Sequence, residues 1–208
     1  MNALETEYVV FDVETTGLFP LKGDRIVEIA AVKIKCFETV DVFDSLINPR
    51  RALSAHAMQV NQITEEMIAS APTADEVLPK MIDFIGGACL VGHNIKFDLD
   101  FLCYELSLMG RKLRDETPAI DTLKMAKTLL PHIHNHKLSN VAHFLGVRVD
   151  ETHRAMADVK LTVSMMKRLL NIAGKQKIET FQQIHKHYSI QKPSFKIELA
   201  IQGSLFAF

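Results

Sequence analysis

Hydrophobic positions along the chain follow two rhythms, strand-like at the start and helical later. Tyr8-Val9-Val10-Phe11-Asp12-Val13 is apolar except for Asp12 and runs into Glu14-Thr15-Thr16-Gly17, the pattern of a buried strand entering a turn. After a loop with Pro20 and Gly23, Arg25 to Lys35 predicts a second strand through Ile26, Val27, Ile29, Val32 and Ile34, and Val40 to Ile47 a third, closed by Asn48-Pro49. Loop and short turns are expected next. Thr64 reads as the cap of a helix start at Ile63-Thr64-Glu65-Glu66, and Pro72-Thr73-Ala74-Asp75-Glu76 leads into a clearer helix, with Val77, Leu78, Met81, Ile82 and Ile85 on one face and Gly86-Gly87 as its stop. Ala88 to Val91 is a short buried strand, and Gly92-His93-Asn94 turns it into a helix from Lys96 to Met109. A strand ending at Asp121, a helix to Leu130, a break at Pro131, a helix from Leu138 to Leu145 and a long helix from Ala155 to Ala173 complete the pattern. Strands first, then helices interleaved with short strands, predict an α/β fold with a mixed sheet covered on both sides.

Composition narrows the class. A chain of 208 residues, 48% hydrophobic and 24% charged, suits one globular domain or a domain with an appendage. Its net charge of -1 argues against a broad electrostatic grip on duplex nucleic acid, though not against a strand end held locally by cations. The start carries acid where a secretory signal carries base, and no apolar run is long enough to span a bilayer, so a cytoplasmic protein with no membrane partner is expected. Cys36, Cys89 and Cys103 show no CxxC spacing and read as reduced core thiols. After Gly174 the balance shifts to a net +3, which divides the chain into a domain over 1–173 and a C-terminal appendage over 174–208, a small helix from Glu179 to Tyr188 followed by an extended tail.

Candidate chemistry starts with Asp12 and Glu14. On a strand they share one face while Phe11 and Val13 share the other. Two adjacent carboxylates on an apolar strand need either solvent at the strand's end or a cation, and carboxylate oxygens are what Mg²⁺ and Mn²⁺ prefer. Asp98 stands at a strand-to-helix junction after Gly92-His93-Asn94-Ile95-Lys96-Phe97. Asp158 lies in the first turns of the last long helix, five residues after His153, and the small Ala155 and Ala157 allow that helix to approach the sheet closely. An Asp at a helix start is most often only a cap and a His before a helix most often a surface residue, so the weight rests on the ordered combination.

That combination, Asp12-x-Glu14, Asn94-x-x-Phe97-Asp98 and His153-x-Ala155-x-x-Asp158, resembles the three motifs of the DEDDh 3′-to-5′ exonuclease superfamily, nearest to the proofreading (epsilon) subunit of bacterial DNA polymerase III and its stand-alone relatives. The likeness covers roughly residues 5 to 170, including Phe11-Asp12-Val13-Glu14-Thr15-Thr16-Gly17 and Val91-Gly92-His93-Asn94. It implies a ribonuclease-H-like fold, two Mg²⁺ or Mn²⁺ ions held by Asp12, Glu14, Asp98 and Asp158, and His153 as the base that takes a proton from the attacking water near neutral pH. Thr15, Thr16, Asn94 and Phe97 match positions near the terminal nucleotide, and the Thr16 N–H with an apolar Leu18 would suit a single unpaired 3′ end. One departure is Gln62, which stands before Ile63-Thr64 where the family commonly has Gly.

In the tail, Gln202-Gly203-Ser204-Leu205-Phe206 resembles the short peptide by which bacterial replication proteins bind the sliding clamp, with Gln202, Ser204, Leu205 and Phe206 as contacts. The same phenylalanines could instead dock on the domain itself. A polymerase partner is left open. His132-Ile133-His134-Asn135-His136 fits no zinc spacing, and Asp121 reads as a helix cap. Three functions compete: trimming of a single-stranded or frayed DNA 3′ end for proofreading or repair, trimming of RNA by the same residues, and a non-catalytic adaptor tethered to the clamp. DNA and RNA oligonucleotides compared side by side separate the first two. The third is at odds with a chain that keeps all four acids.

Overall fold

The computed structural model describes residues 2–149 and 154–195. Five strands, β1 (Tyr8–Thr15), β2 (Ile26–Lys35), β3 (Glu38–Leu46), β4 (Cys89–Gly92) and β5 (Ala119–Asp121), form one sheet in the order β3-β2-β1-β4-β5. The first three pair antiparallel, and β1 to β4 and β4 to β5 pair parallel, giving the mixed sheet of a ribonuclease-H-like fold. Among the described residues eight α-helices surround it: α1 (Ala55–Asn61), α2 (Glu65–Ala69), α3 (Ala74–Ile85), α4 (Lys96–Leu108), α5 (Thr122–Leu129), α6 (Leu138–Phe144), α7 (Ala155–Lys175) and α8 (Phe181–Tyr188).

The alternation along β1 and β2 sorts the core into two layers. Val9, Phe11 and Val13 of β1 meet Leu78 and Met81 of α3 and Leu99, Phe101 and Leu102 of α4. Val10 of β1 and Ala30, Val32 and Ile34 of β2 meet Val159, Met165, Met166 and Leu169 of α7, with Met125 and Ala126 of α5. Asp12 and Glu14 have the parity of Val10 and therefore face α7. Residues 174–195 pack against the same layer: Ile184 and Tyr188 of α8 are buried there, and Ile190 N–H donates to Ala119 O at the sheet's edge.

Two expectations change. Residues 55–61 are helical rather than loop, because the Ser54 hydroxyl accepts from Ala57 N–H and starts a helix whose weak apolar pattern, with Ala57 and Asn61 as its buried residues, gave no periodic signal. Cys36 is exposed rather than a core thiol, since it sits in the two-residue turn between β2 and β3. Among the described residues no helix is long and apolar enough to cross a membrane.

Candidate active site

The site grows out of a mismatch in strand length. Pairing of β1 with β4 stops at Val10 opposite Val91, whereas pairing with β2 continues to Thr15 opposite Ile26. Past Val10, the β4-facing backbone groups of β1 have no strand neighbour, and a buried N–H left there needs a partner. Asp98, in the first turn of α4, supplies it: its Oδ1 accepts from Val13 N–H at 3.0 Å. The turn from β4 into α4 is tight, and a Cβ on Gly92 would lie 3.0 Å from Ile95 Cβ and 3.2 Å from Phe11 O. Asn94 takes a left-handed φ of 64°, which Asn tolerates better than most residues, and its N–H donates to Asp121 Oδ1 at 2.9 Å. Asp121 thus does more than cap α5 through Leu123 N–H: it also fixes the Asn94 turn.

On the opposite face of β1, the fully buried Ala155 lets the start of α7 come close to the sheet. One oxygen from each of Asp12, Glu14 and Asp158 then lies within 4.8 Å of the others. Asp98 is not in this trio; it stands beside it, buried and held on β1. Burial and crowding of like charge push these acids toward protonation. Asp12 is raised well above the usual carboxylate range, by burial first and then by Asp98, Glu14 and Asp158. Asp98 is raised by burial, against the pull of its backbone hydrogen bonds. Glu14 is pushed up to about 7 by burial, with Asp158 and Glu28 adding to the rise and Arg154 opposing it. Crowded acids whose donor atoms, among the described residues, are all carboxylate oxygens suit a hard divalent cation bound through oxygen.

The remaining expected residues fall in three groups. His153 lies outside the described residues, as do Gln202, Ser204, Leu205 and Phe206. Leu18 is 65% exposed, on the loop that follows the Thr15-Thr16-Gly17 turn, and Asn94 is exposed while Phe97 is half-buried against Phe101, so all three remain open to a ligand. Thr16 is a correction. It is buried, its N–H donates to Arg25 O at 2.9 Å and its hydroxyl bonds Arg25 N–H and Asp24, so the backbone donor expected to meet a substrate is spent on the turn itself. The Thr15 hydroxyl is likewise turned to Gly17 O at 2.6 Å.

Asp24, unnoticed in the sequence, locks this loop. Its carboxylate accepts from Phe19 N–H and the Arg51 guanidinium, and it packs so closely on Gly17 that a Cβ there would lie 2.4 Å from its oxygen. Glu28 and Arg154 were also missed; their signal was a single acid in the apolar run from Ile26 to Val32. The histidine loop is structural: His136 Nε2 meets Leu130 O, its own carbonyl meets His93 Nε2 at 2.7 Å, and His132 packs on Phe144.

Comparison with known proteins agrees with this geometry. Residues 9–166 match the RNase_T exonuclease family. The chain belongs to that family. RNase_T membership makes it a nuclease, a phosphodiester hydrolase within the DEDDh superfamily. It is 41% identical over 166 residues to the PolC-type DNA polymerase III of Clostridium perfringens, across 80% of this chain and 11% of the polymerase. It is 39% identical over 188 residues to a DNA polymerase III epsilon-like protein of Rhodobacter capsulatus, across 86% of this chain and 26% of that protein. The chain thus spans about a tenth to a quarter of the length of these relatives. Among solved structures it is similar to exonuclease X in complex with 5′ overhanging duplex DNA (27% identity, TM-score 0.70, covering 86% of this chain and 98% of that one). Escherichia coli exonuclease I with a dA16 oligonucleotide shares the fold at 17% identity, with a TM-score of 0.72 over 82% of this chain and 42% of that one.

Proposed function

We propose that this nuclease removes nucleotides one at a time from the 3′ end of DNA, releasing nucleoside 5′-monophosphates in a proofreading or repair role. The observation that carries the reading is the convergence of Asp12, Glu14 and Asp158 from β1 and α7, with Asp98 pinned beside them. These four carboxylates would hold two Mg²⁺ or Mn²⁺ ions. Such ions, when bound, supply positive charge to the scissile phosphate and the oxygens entering and leaving it. Everything else falls to the chain. Partial burial lowers the dielectric around the carboxylates and so strengthens their attraction for a cation. The hydrogen bond of Asp98 to β1 fixes the α4 side of the cradle. His153 takes the proton from the attacking water, at a pH where imidazole is largely neutral. The exposed Leu18 offers an apolar face to the last base, and Asn94 and Phe97 contact the terminal nucleotide.

The decisive experiment is hydrolysis of labelled DNA and RNA oligonucleotides by purified protein, with and without EDTA. We expect DNA to be shortened from its 3′ end, EDTA to abolish the activity and Asp12→Ala to lower it at least about a thousandfold, as loss of a group acting directly on the reaction does. Faster cleavage of RNA would replace the DNA assignment, and unchanged activity in Asp12→Ala would remove the site. The peptide Gln202-Gly203-Ser204-Leu205-Phe206 is proposed to bind a sliding clamp through its Leu205-Phe206 pair. Deleting 202–208 should then weaken clamp binding while sparing hydrolysis of short oligonucleotides; equal clamp affinity before and after would reject it.

A further inference from the structure

Glu28 is an anomaly in β2. It is 2% exposed among Ile26, Val27, Ile29 and Ala30, it faces α7, and it lies directly across the strand pair from Glu14. A carboxylate so placed is costly unless its oxygens are fully occupied. They are. Oε1 accepts from Arg154 Nη2 at 2.5 Å and Nε at 3.1 Å; Oε2 accepts from the same Nε at 3.1 Å and from Ala155 N–H at 3.0 Å. The last of these is the first N–H of α7, one of the four donors that a helix start leaves without an intrahelical partner.

The residue held in this way is the one on which Asp158 is hung. Arg154 is the N-cap of α7, and its carbonyl accepts from Ala157 N–H at 2.9 Å and Asp158 N–H at 3.2 Å. In sequence Arg154 also directly follows His153. A bidentate guanidinium–carboxylate pair fixes orientation as well as distance, which a single-point contact does not. Within one turn of chain, then, a side chain anchored on β2 determines where the α7 carboxylate of the site stands relative to Asp12 and Glu14 on β1.

We propose that Glu28, through its bidentate pair with Arg154 and its bond to Ala155 N–H, is a positioning residue of the active site: it sets the first turn of α7 on the sheet so that Asp158 completes the cation cradle with Asp12 and Glu14. The inference rests on the metal-dependent reading above. Glu28 acts on the metal through the ligand it places, as groups that orient metal ligands do elsewhere, where their loss lowers metal affinity or activity roughly 10- to 100-fold.

The test uses the full chain. Mn²⁺ binding is followed by isothermal titration calorimetry, and oligonucleotide hydrolysis is measured well below each variant's melting temperature, for Glu28→Gln, Arg154→Lys, Arg154→Gln, the Glu28→Gln/Arg154→Gln double variant and Asp158→Asn. Glu28→Gln keeps the shape but loses the charge and can satisfy only one of the two partners with its single acceptor oxygen. Arg154→Lys keeps the charge but cannot span both oxygens; because Arg154 is two-fifths exposed, it serves as the folded variant should Glu28→Gln fold poorly. We expect about tenfold weaker Mn²⁺ binding and about tenfold lower kcat with KM little changed in Glu28→Gln and Arg154→Gln, a smaller loss in Arg154→Lys, and a double variant no worse than either single one, since the pair works as a unit. Melting temperatures that fall while Mn²⁺ affinity and kcat stay at the parent values would make the pair a structural brace only and overturn the proposal. Loss of Mn²⁺ binding in Asp158→Asn separates the two levels. If that variant binds Mn²⁺ as well as the parent, the metal-site reading fails; if it does not, and Glu28→Gln does, the positioning inference alone fails.

Discussion

Gln62 shows how a single residue carries a local backbone cost. It closes α1 with φ 58°, a left-handed conformation that side chains bearing a Cβ adopt at a penalty, and its side chain is exposed. Its neighbours fix the turn: Asn61 is buried, and its Oδ1 accepts from Ile63 N–H at 3.0 Å. Gln62→Gly should therefore stabilise the protein by roughly 0.5–1 kcal/mol, the ordinary gain at such a helix end less the extra entropy of the unfolded chain. Urea unfolding checks it, and a loss of stability would show that the Gln62 side chain makes a contact worth more than the relief. Residues whose chemistry shows through the strand's period of two were legible from sequence: Asp12 and Glu14 share a face because of that period alone. Glu28 was not, because its meaning depends on a partner 126 positions away and on which face α7 covers. Thr16 shows the same limit from the other side, since the sequence displays a donor but not that Arg25 O has already taken it.

At the scale of elements, long periodic segments were legible and short weakly patterned ones were not. The antiparallel β2–β3 pair illustrates both. Its strands were plain from their apolar runs, yet the connecting Cys36-Phe37 carries no turn signature, although both residues have positive φ, 52° and 59°. That is the geometry of a type I′ hairpin turn, for which Asn at the first position is far better suited. Cys36→Asn should raise stability by about 0.5 kcal/mol and leave nuclease activity unaltered; a lower melting temperature would mean that the thiol is making an unseen contribution. The opposite face of the sheet holds a second buried clamp. Glu105 of α4, 1% exposed, accepts from Arg25 Nε at 2.7 Å and Nη2 at 2.6 Å, and more weakly from Ile26 N–H at 3.3 Å. Since Arg25 backbone groups also hold Thr16, this clamp ties α4 to the turn that follows β1. Glu105→Ala would leave Ile26 N–H unpaired and the guanidinium, 30% exposed, to water, and we expect a loss of about 2–3 kcal/mol, below the range for a fully buried pair. A loss below about 1 kcal/mol would show that water reaches and satisfies both.

For the whole molecule, the acid cluster couples stability to pH and to cations. In the ion-free chain the Glu14 carboxyl is raised from 4.5 to about 7, chiefly by burial, and Asp12 and Asp98 are raised for the same first reason. The sign follows from proton counting. Below about pH 4.5 Glu14 is protonated whether the chain is folded or not, and its burial costs little. Between that pH and about 7 the unfolded chain releases the proton while the folded chain keeps it, so rising pH favours unfolding; above 7 the folded chain holds the charge at full cost. In EDTA the protein should therefore lose stability from pH 5 to pH 8 through this one group by roughly 2 kcal/mol, or roughly 4–8 °C in melting temperature for a chain of this size. Glu14→Gln should remove that part of the slope and be the more stable protein at pH 8, an unusual outcome for a substitution in a partly buried site. Mg²⁺ or Mn²⁺ acts in the opposite sense, because a ligand that binds only the folded chain stabilises it by mass action and binds the ionised acids best. The cation-induced rise in melting temperature should thus be larger at pH 8 than at pH 5.5, and should shrink in Glu14→Gln. A parent and a Glu14→Gln variant with parallel pH profiles in EDTA, or a cation effect that ignores pH, would mean that Glu14 ionises as freely in the folded chain as in water and that the cluster is open to solvent.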